Sequence, residues 1–269
     1  MKILLCHVLK LTLLLAAAAM SLQADESDEI LFGSKDKEGS GLIAIIYDLK
    51  QKQNRESSNV SAGEYPDVIQ EFLKSGWDEQ ILNRFFRITQ PLYSTQIFIP
   101  RISADIAPKA YGVDQVIKPS AWCIHYKGQV SPPEDGEYRF VAYADDVMAV
   151  AVNGKTACVS GRPDMEMKKV WNSAEESGAH AFNGNLLYGE WLIMKKDQPI
   201  DLDVLVGERP GGDFCAFLMY QKKGVDYQRD KSGKLILPVF QLAKMPIPGT
   251  SDGKSPPHAA AGELWTQHK

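Results

Sequence analysis

Residues 122–154, WCIHYKGQVSPPEDGEYRFVAYADDVMAVAVNG, constrain this chain more than any other stretch. Apolar runs rich in β-branched and aromatic residues are separated by two turn signals, Pro132-Pro133-Glu134-Asp135-Gly136 and Asn153-Gly154. Asn-Gly between two apolar runs is the strongest short-range signal of a hairpin, because both residues tolerate positive φ. The spacing predicts strands over 122–130, 136–144, 147–152 and 155–160. An acidic pair, Asp145-Asp146, interrupts the apolar centre.

The flanking sequence extends this pattern. Residues 41–49 (GLIAIIYDL) read as a first strand and 95–102, with Pro100 inside, as an edge strand or bulge. Residues 186–195, 200–207, 213–222 and 235–242 read as further strands, with turn chemistry at Asp197-Gln198-Pro199 and Pro210-Gly211-Gly212. Apolar residues at helical spacing (Val68, Ile69, Phe72, Leu73, then Ile81, Leu82, Phe85, Phe86) predict two helices within about 65–87, broken at Gly76. They form an insertion in a mainly β chain. Residues 161–187 read as a long polar loop carrying Trp171, His180 and Phe182. With 269 residues there is room for one large domain or two small ones. No second core and no internal repeat is visible, so one domain is expected over 41–243. Before it, 25–40 reads as a flexible lead-in, and the Pro-rich segment 244–269 reads as an extended or disordered tail.

Residues 1–24 have the form of a secretory signal: Lys2, an apolar run to Met20, then Ser21-Leu22-Gln23-Ala24 before a cluster of acids. Cleavage after Ala24 and export are the expectation (periplasm, cell surface or medium). Lys10 leaves the apolar core too short to span a membrane well, and no other long apolar run follows, so no membrane insertion is expected after cleavage. Loss of Lys2 and Lys10 takes the formal charge from −4 to −6. That balance speaks against nucleic acid or anionic membrane surfaces as partners.

Cys123, Cys158 and Cys215 sit in apolar strand-like runs and read as small buried side chains rather than a disulfide framework. The absence of CxxC gives no support to a zinc or redox site. No GxSxG, HExxH, SxxK or Gly-rich phosphate loop occurs, so the chain is not read as an enzyme. Glu134-Asp135 falls in a Pro/Gly turn and reads as a solvated pair. His125 reads as a satisfied, half-buried strand residue.

The middle of the chain resembles the PA14 family, β-sandwich modules of bacterial toxins, glycosidases, other secreted proteins and yeast adhesins. The resemblance rests on Trp122, His125-Tyr126-Lys127-Gly128, Pro132-Pro133, Gly136-Glu137-Tyr138-Arg139-Phe140, Ala144-Asp145-Asp146 and Val150 to Lys155. Gly189-Glu190-Trp191 and residues 200–207 look like the family's closing strands. Val147 stands where the family has Gly. The implied fold is mainly β: a PA14-like antiparallel β-sandwich with a short helical insertion. The implied role is carbohydrate binding or interaction rather than catalysis. In the adhesin branch two adjacent aspartates joined by a cis peptide hold a Ca²⁺ that also binds sugar hydroxyls, and Asp145 and Asp146 are the matching positions.

Neighbouring residues on a regular strand point to opposite faces, so two adjacent carboxylates reach one ion only across a sharp bend. Calcium takes about six to eight oxygen ligands. Two aspartates are too few, which makes Asn183 and Asn185 of the 161–187 loop the candidates to complete the set, with Asp164 behind them. The competing reading is that one aspartate caps the bend through backbone N–H groups while the other is solvated. Among the aromatics, Trp171 offers a flat face for a sugar as readily as it packs in a core, whereas Trp191, inside a predicted strand, reads as core. The expected partner is a glycan or cell-surface polysaccharide. The alternative is a metal-free structural or protein-interaction module, with the helical insertion as its contact surface.

Overall fold

The computed structural model describes residues 31–35, 41–172, 175–249 and 254–269. The signal segment 1–24 lies outside the described residues, as do positions 25–30 and 36–40 of the lead-in. Two antiparallel sheets face one another. The first has the order β2 (Phe85–Arg87), β1 (Leu42–Lys52), β5 (Trp122–Ser131), β12 (Ile200–Glu208), β7 (Val147–Val152), β8 (Lys155–Gly161). On this sheet β3 (Leu92–Ser94) also pairs with β1, and β14 (Thr266–His268) with β5. The second has the order β4 (Phe98–Ser103), β13 (Asp213–Lys222), β6 (Gly136–Asp145), β10 (Gly184–Tyr188), β9 (Glu176–Ala181), with β11 (Leu192–Met194) also on β6. The expected β-sandwich is therefore present.

Alternation sets the layers. Tyr138, Phe140, Ala142 and Ala144 of β6 meet Ile124, Tyr126, Val204 and Val206 across the central core. The intervening Val141 and Tyr143 point outward, yet they are buried too, under the segment carrying Leu237 and Val239. The first sheet has a second covered face as well, with Tyr47, Cys123, Ala149 and Leu205 under the helical insertion. Both sheets are thus apolar on two faces, which explains why their strands read as apolar runs rather than as clean alternation. Cys123, Cys158 and Cys215 are buried and form no disulfide among the described residues. Among the described residues no helix is long and apolar enough to cross a membrane.

Helix α1 (Tyr65–Lys74) starts with Pro66 in its first turn, where a missing N–H costs nothing. It buries Val68, Ile69, Phe72 and Leu73 against the first sheet. Helix α2 is a single turn, Glu79–Leu82, capped by Asp78 accepting from the Gln80 N–H. The expected second helix ends there: Phe85–Arg87 runs as a strand because β1 offers an unpaired edge, with Tyr47 opposite Arg87. A short helix α3 (Ile106–Ala110) follows β4.

Three other expectations are corrected. The 161–187 segment is not a single loop: two 3₁₀ turns (Pro163–Met165 and Met167–Lys169) lead to the β9–β10 hairpin. Part of the lead-in is packed, with Phe32 fully buried and stacked on Phe214 at 6.2 Å. The described end of the Pro-rich tail returns to the body. Trp265 is buried among the rings of Tyr138, Phe140, Tyr220 and Phe240, at 5.4–5.7 Å. Thr266–His268 then pairs with Ser131–Gln129 of β5. One large aromatic in a hydrogen-bonding extended segment is enough to dock it, which composition alone hides.

Candidate functional site

The polypeptide passes from the second sheet to the first between Asp145 and Asp146. Asp145 ends β6 and pairs with Cys215 of β13; the next strand, β7, belongs to the other sheet. Asp146 is tied into that other sheet by its N–H to the Gly207 carbonyl (2.9 Å) and its carbonyl to the Arg162 N–H (2.8 Å). Strands that switch sheets do so at a bend. The peptide between the two aspartates is cis. Both carboxylates line one pocket.

This pocket, about 200 Å³, is lined by Asp145, Asp146, Arg162, Phe182, Asn183, Glu208, Pro210, Gly211 and Asp213. Each aspartate is hydrogen-bonded through one oxygen only. Asp145 Oδ2 accepts from Asn183 Nδ2 at 3.1 Å, and Asp146 Oδ2 accepts from the Arg209 N–H at 2.8 Å. The two Oδ1 atoms are buried with no hydrogen-bond partner. Arg162 faces both at ion-pair range, Nη1 at 3.6 Å from Asp145 Oδ1 and Nε at 3.3 Å from Asp146 Oδ1. Glu208, 1% exposed, ends β12 and accepts from the Gly211 N–H at 2.8 Å. Burial, and then the charge of Asp146, push its carboxyl up to about 8. Burial likewise raises Asp146 to about 6, against the bond from Arg209, and raises Asp145. Three acids thus share a buried corner that their own surroundings under-compensate.

Of the sequence candidates, the structure brings Asp145, Asp146 and Asn183 together and leaves two apart. Asn185 lies on β10 and is half-buried, its Nδ2 donating to Glu176 Oε2 at 3.0 Å, and it does not line the pocket. Trp171 packs partly buried against the cluster beneath the helical insertion and does not line the pocket. Trp191 is not core: it lies between β10 and β11, 37% exposed, with the Arg139 guanidinium 4.5 Å above its ring. Asp164 sits outside the pocket, paired with Arg209. His125 is held by Asp203 at 2.8 Å, and Glu134 and Asp135 serve the turn through Lys222 and the Lys196 N–H. Arg162, Glu208 and Asp213 were not legible as site residues. Their signal is weak: charged residues at the ends of apolar strands, beside Gly161 and Pro210-Gly211-Gly212.

Among the described residues no group of three or more His, Cys, Asp or Glu side chains is already arranged as a metal cage. The donor set nevertheless fits a hard cation in kind. Two buried, orphaned carboxylate oxygens face one pocket, and calcium takes oxygen ligands.

The sequence model of the PA14 domain matches residues 103–182. The family resemblance is borne out over that stretch, which runs from the end of β4 past β9 and holds both aspartates. No curated protein matches the chain. Solved structures similar to it include the PA14 sugar-binding domain from an RTX adhesin (13% identity, 71% of this chain and 94% of that one, TM-score 0.40). The PA14 domain of the antifreeze protein MpAFP is another (14%, 68% and 82%, 0.39). A third is the epithelial adhesin 6 A domain from Candida glabrata in complex with Galb1-3GlcNAc (12%, 77% and 97%, 0.36).

Proposed function

We propose that this chain is an exported, non-catalytic glycan-binding module and that the Asp145–Asp146 pocket is where it meets the sugar, with Ca²⁺ as the shared ligand. The carrying observation is the pair of buried carboxylates that each turn one oxygen, free of hydrogen bonds and faced only by Arg162, into one polar pocket. Neither oxygen accepts a hydrogen bond, and a half-exposed arginine alone offsets their charge, which leaves room for a stronger partner. The family match over 103–182 supports the same reading. Asp145 Oδ1 and Asp146 Oδ1 would hold the ion. Bound there, calcium would supply open coordination positions for vicinal hydroxyls. Asn183 fixes Asp145, and the Arg209 N–H fixes Asp146, so the pair is positioned before any ligand arrives.

Calorimetric titration with calcium chloride tests the metal half of this reading. Heat is expected for the parent and should vanish in Asp146→Ala. A glycan array with calcium and with chelator tests the sugar half, with signal expected only with calcium. A parent that gives no calcium heat, and no array signal in either condition, would falsify the proposal.

A further inference from the structure

The pocket already contains a cation, and it belongs to the chain. Arg162 is the first residue after β8, and its N–H is bonded to the Asp146 carbonyl at 2.8 Å, so its backbone is anchored beside the acidic pair. Its side chain is 39% exposed. The guanidinium approaches the two orphaned oxygens at 3.3 and 3.6 Å, beyond the roughly 2.7–2.9 Å of a charge-assisted hydrogen bond. It therefore offsets their charge without satisfying them. The same Nε also lies 3.5 Å from Asp164 Oδ1. Asp164 is 47% exposed and is held from behind by Arg209. Arg162 thus stands between a buried pair of acids and an outer single acid, within reach of both.

Resting on the calcium reading above, we propose that Arg162 is a tethered competitor for the ion's position, and that Asp164 is the acceptor that takes it when calcium enters. A divalent ion on Asp145 Oδ1 and Asp146 Oδ1 needs the ground Arg162 covers, since like charges at that distance repel. Because the arginine is attached to the chain, its local concentration is high and independent of dilution. It sets a threshold that free calcium must exceed, and moves the affinity toward the weak range of extracellular modules. In the ion-free state the same arginine keeps two buried carboxylates from facing each other uncompensated.

The test is calcium calorimetry on the full chain at fixed ionic strength. Arg162→Met should bind calcium about three- to ten-fold tighter, the size expected when a partly exposed ion pair need no longer be broken. Arg162→Gln should do the same. Asp164→Asn should weaken binding about two- to three-fold in the parent, and should have no effect when Arg162 is already Met. That coupling separates the relay from general electrostatics, in which the two changes would simply add. Unchanged or weaker binding in Arg162→Met, or additive effects in the double variant, overturns the inference. Calcium heat in the parent with no gain in Arg162→Met sinks only the role of Arg162. No calcium heat in either protein sinks this inference together with the metal reading beneath it.

Discussion

Strand β6 carries a buried charge on its outer face at each end, and the two are treated in opposite ways. Near its start, Arg139 is 7% exposed and fully provided for. Its Nε donates to Gln221 Oε1 and its Nη1 to Glu175 Oε2, both at 2.8 Å. Its plane lies between the rings of Tyr188 and Trp191, at 3.5 and 4.5 Å. At the other end, Asp145 and its neighbour Asp146 are as deeply buried, yet each leaves an oxygen without a hydrogen bond, faced only by Arg162. A buried charge whose partners all come from the fold is part of the scaffold. One whose partners fall short is poised to accept something else.

The largest effect that can break this contrast is the pH dependence of stability. Burial raises the folded-state carboxyls of Asp146 (3.8 to about 6) and Glu208 (4.5 to about 8). Between the ordinary and the raised values the folded chain holds protons that the unfolded chain has released. The contribution to stability is thus present at low pH and lost as pH rises toward 8. Urea denaturation should show the protein less stable near pH 9 than near pH 5 by about 5 kcal/mol, all else being equal. Glu208→Gln should flatten the upper part of that slope, and saturating calcium should reduce it. A flat profile would mean that the acids are as well compensated as Arg139.

Next in size is Arg139 itself. Arg139→Met leaves Glu175 and Gln221 without their cation and should cost about 2–3 kcal/mol. Calcium heats should not change, since the residue lies outside the pocket. A loss of calcium binding in a folded variant would join the two ends of β6 into one functional unit. The smallest effect concerns Trp191, which covers one side of the guanidinium. Trp191→Ala should cost about 1 kcal/mol by denaturation. A loss of several kcal/mol would mean that it behaves as a core residue after all.

Much of this was legible in the residues. The Asn153-Gly154 turn has φ of 52° and 73°, as its chemistry demands, and joins β7 to β8. The acidic pair was visible as a break in an apolar run, and Asn183 was named from the polar segment facing it. The misreadings share a cause: each needed a distance through space. Asn185 differs from Asn183 by two positions, but it lies beyond the turn, on β10, where it bonds Glu176 instead of Asp145. Phe85 and Phe86 fit a helical period, yet a free strand edge claimed them. Trp265 sat in a Pro-rich context that reads as tail, and four aromatic rings received it.

By itself, the sequence determined most strands of the sandwich, the Asn-Gly hairpin turn and the acidic break between two apolar runs. Those features are local, set by side-chain period, by the φ values that Gly and Asn permit, and by apolar content. Only the tertiary structure decided what surrounds the bend. Arg162, Asn183, Glu208 and Asp213 come from four separate segments that meet where the two sheets exchange the chain. Whether a buried carboxylate is satisfied depends on atoms far away in sequence, and that long-range count made Arg139 a strut and Asp145-Asp146 a site.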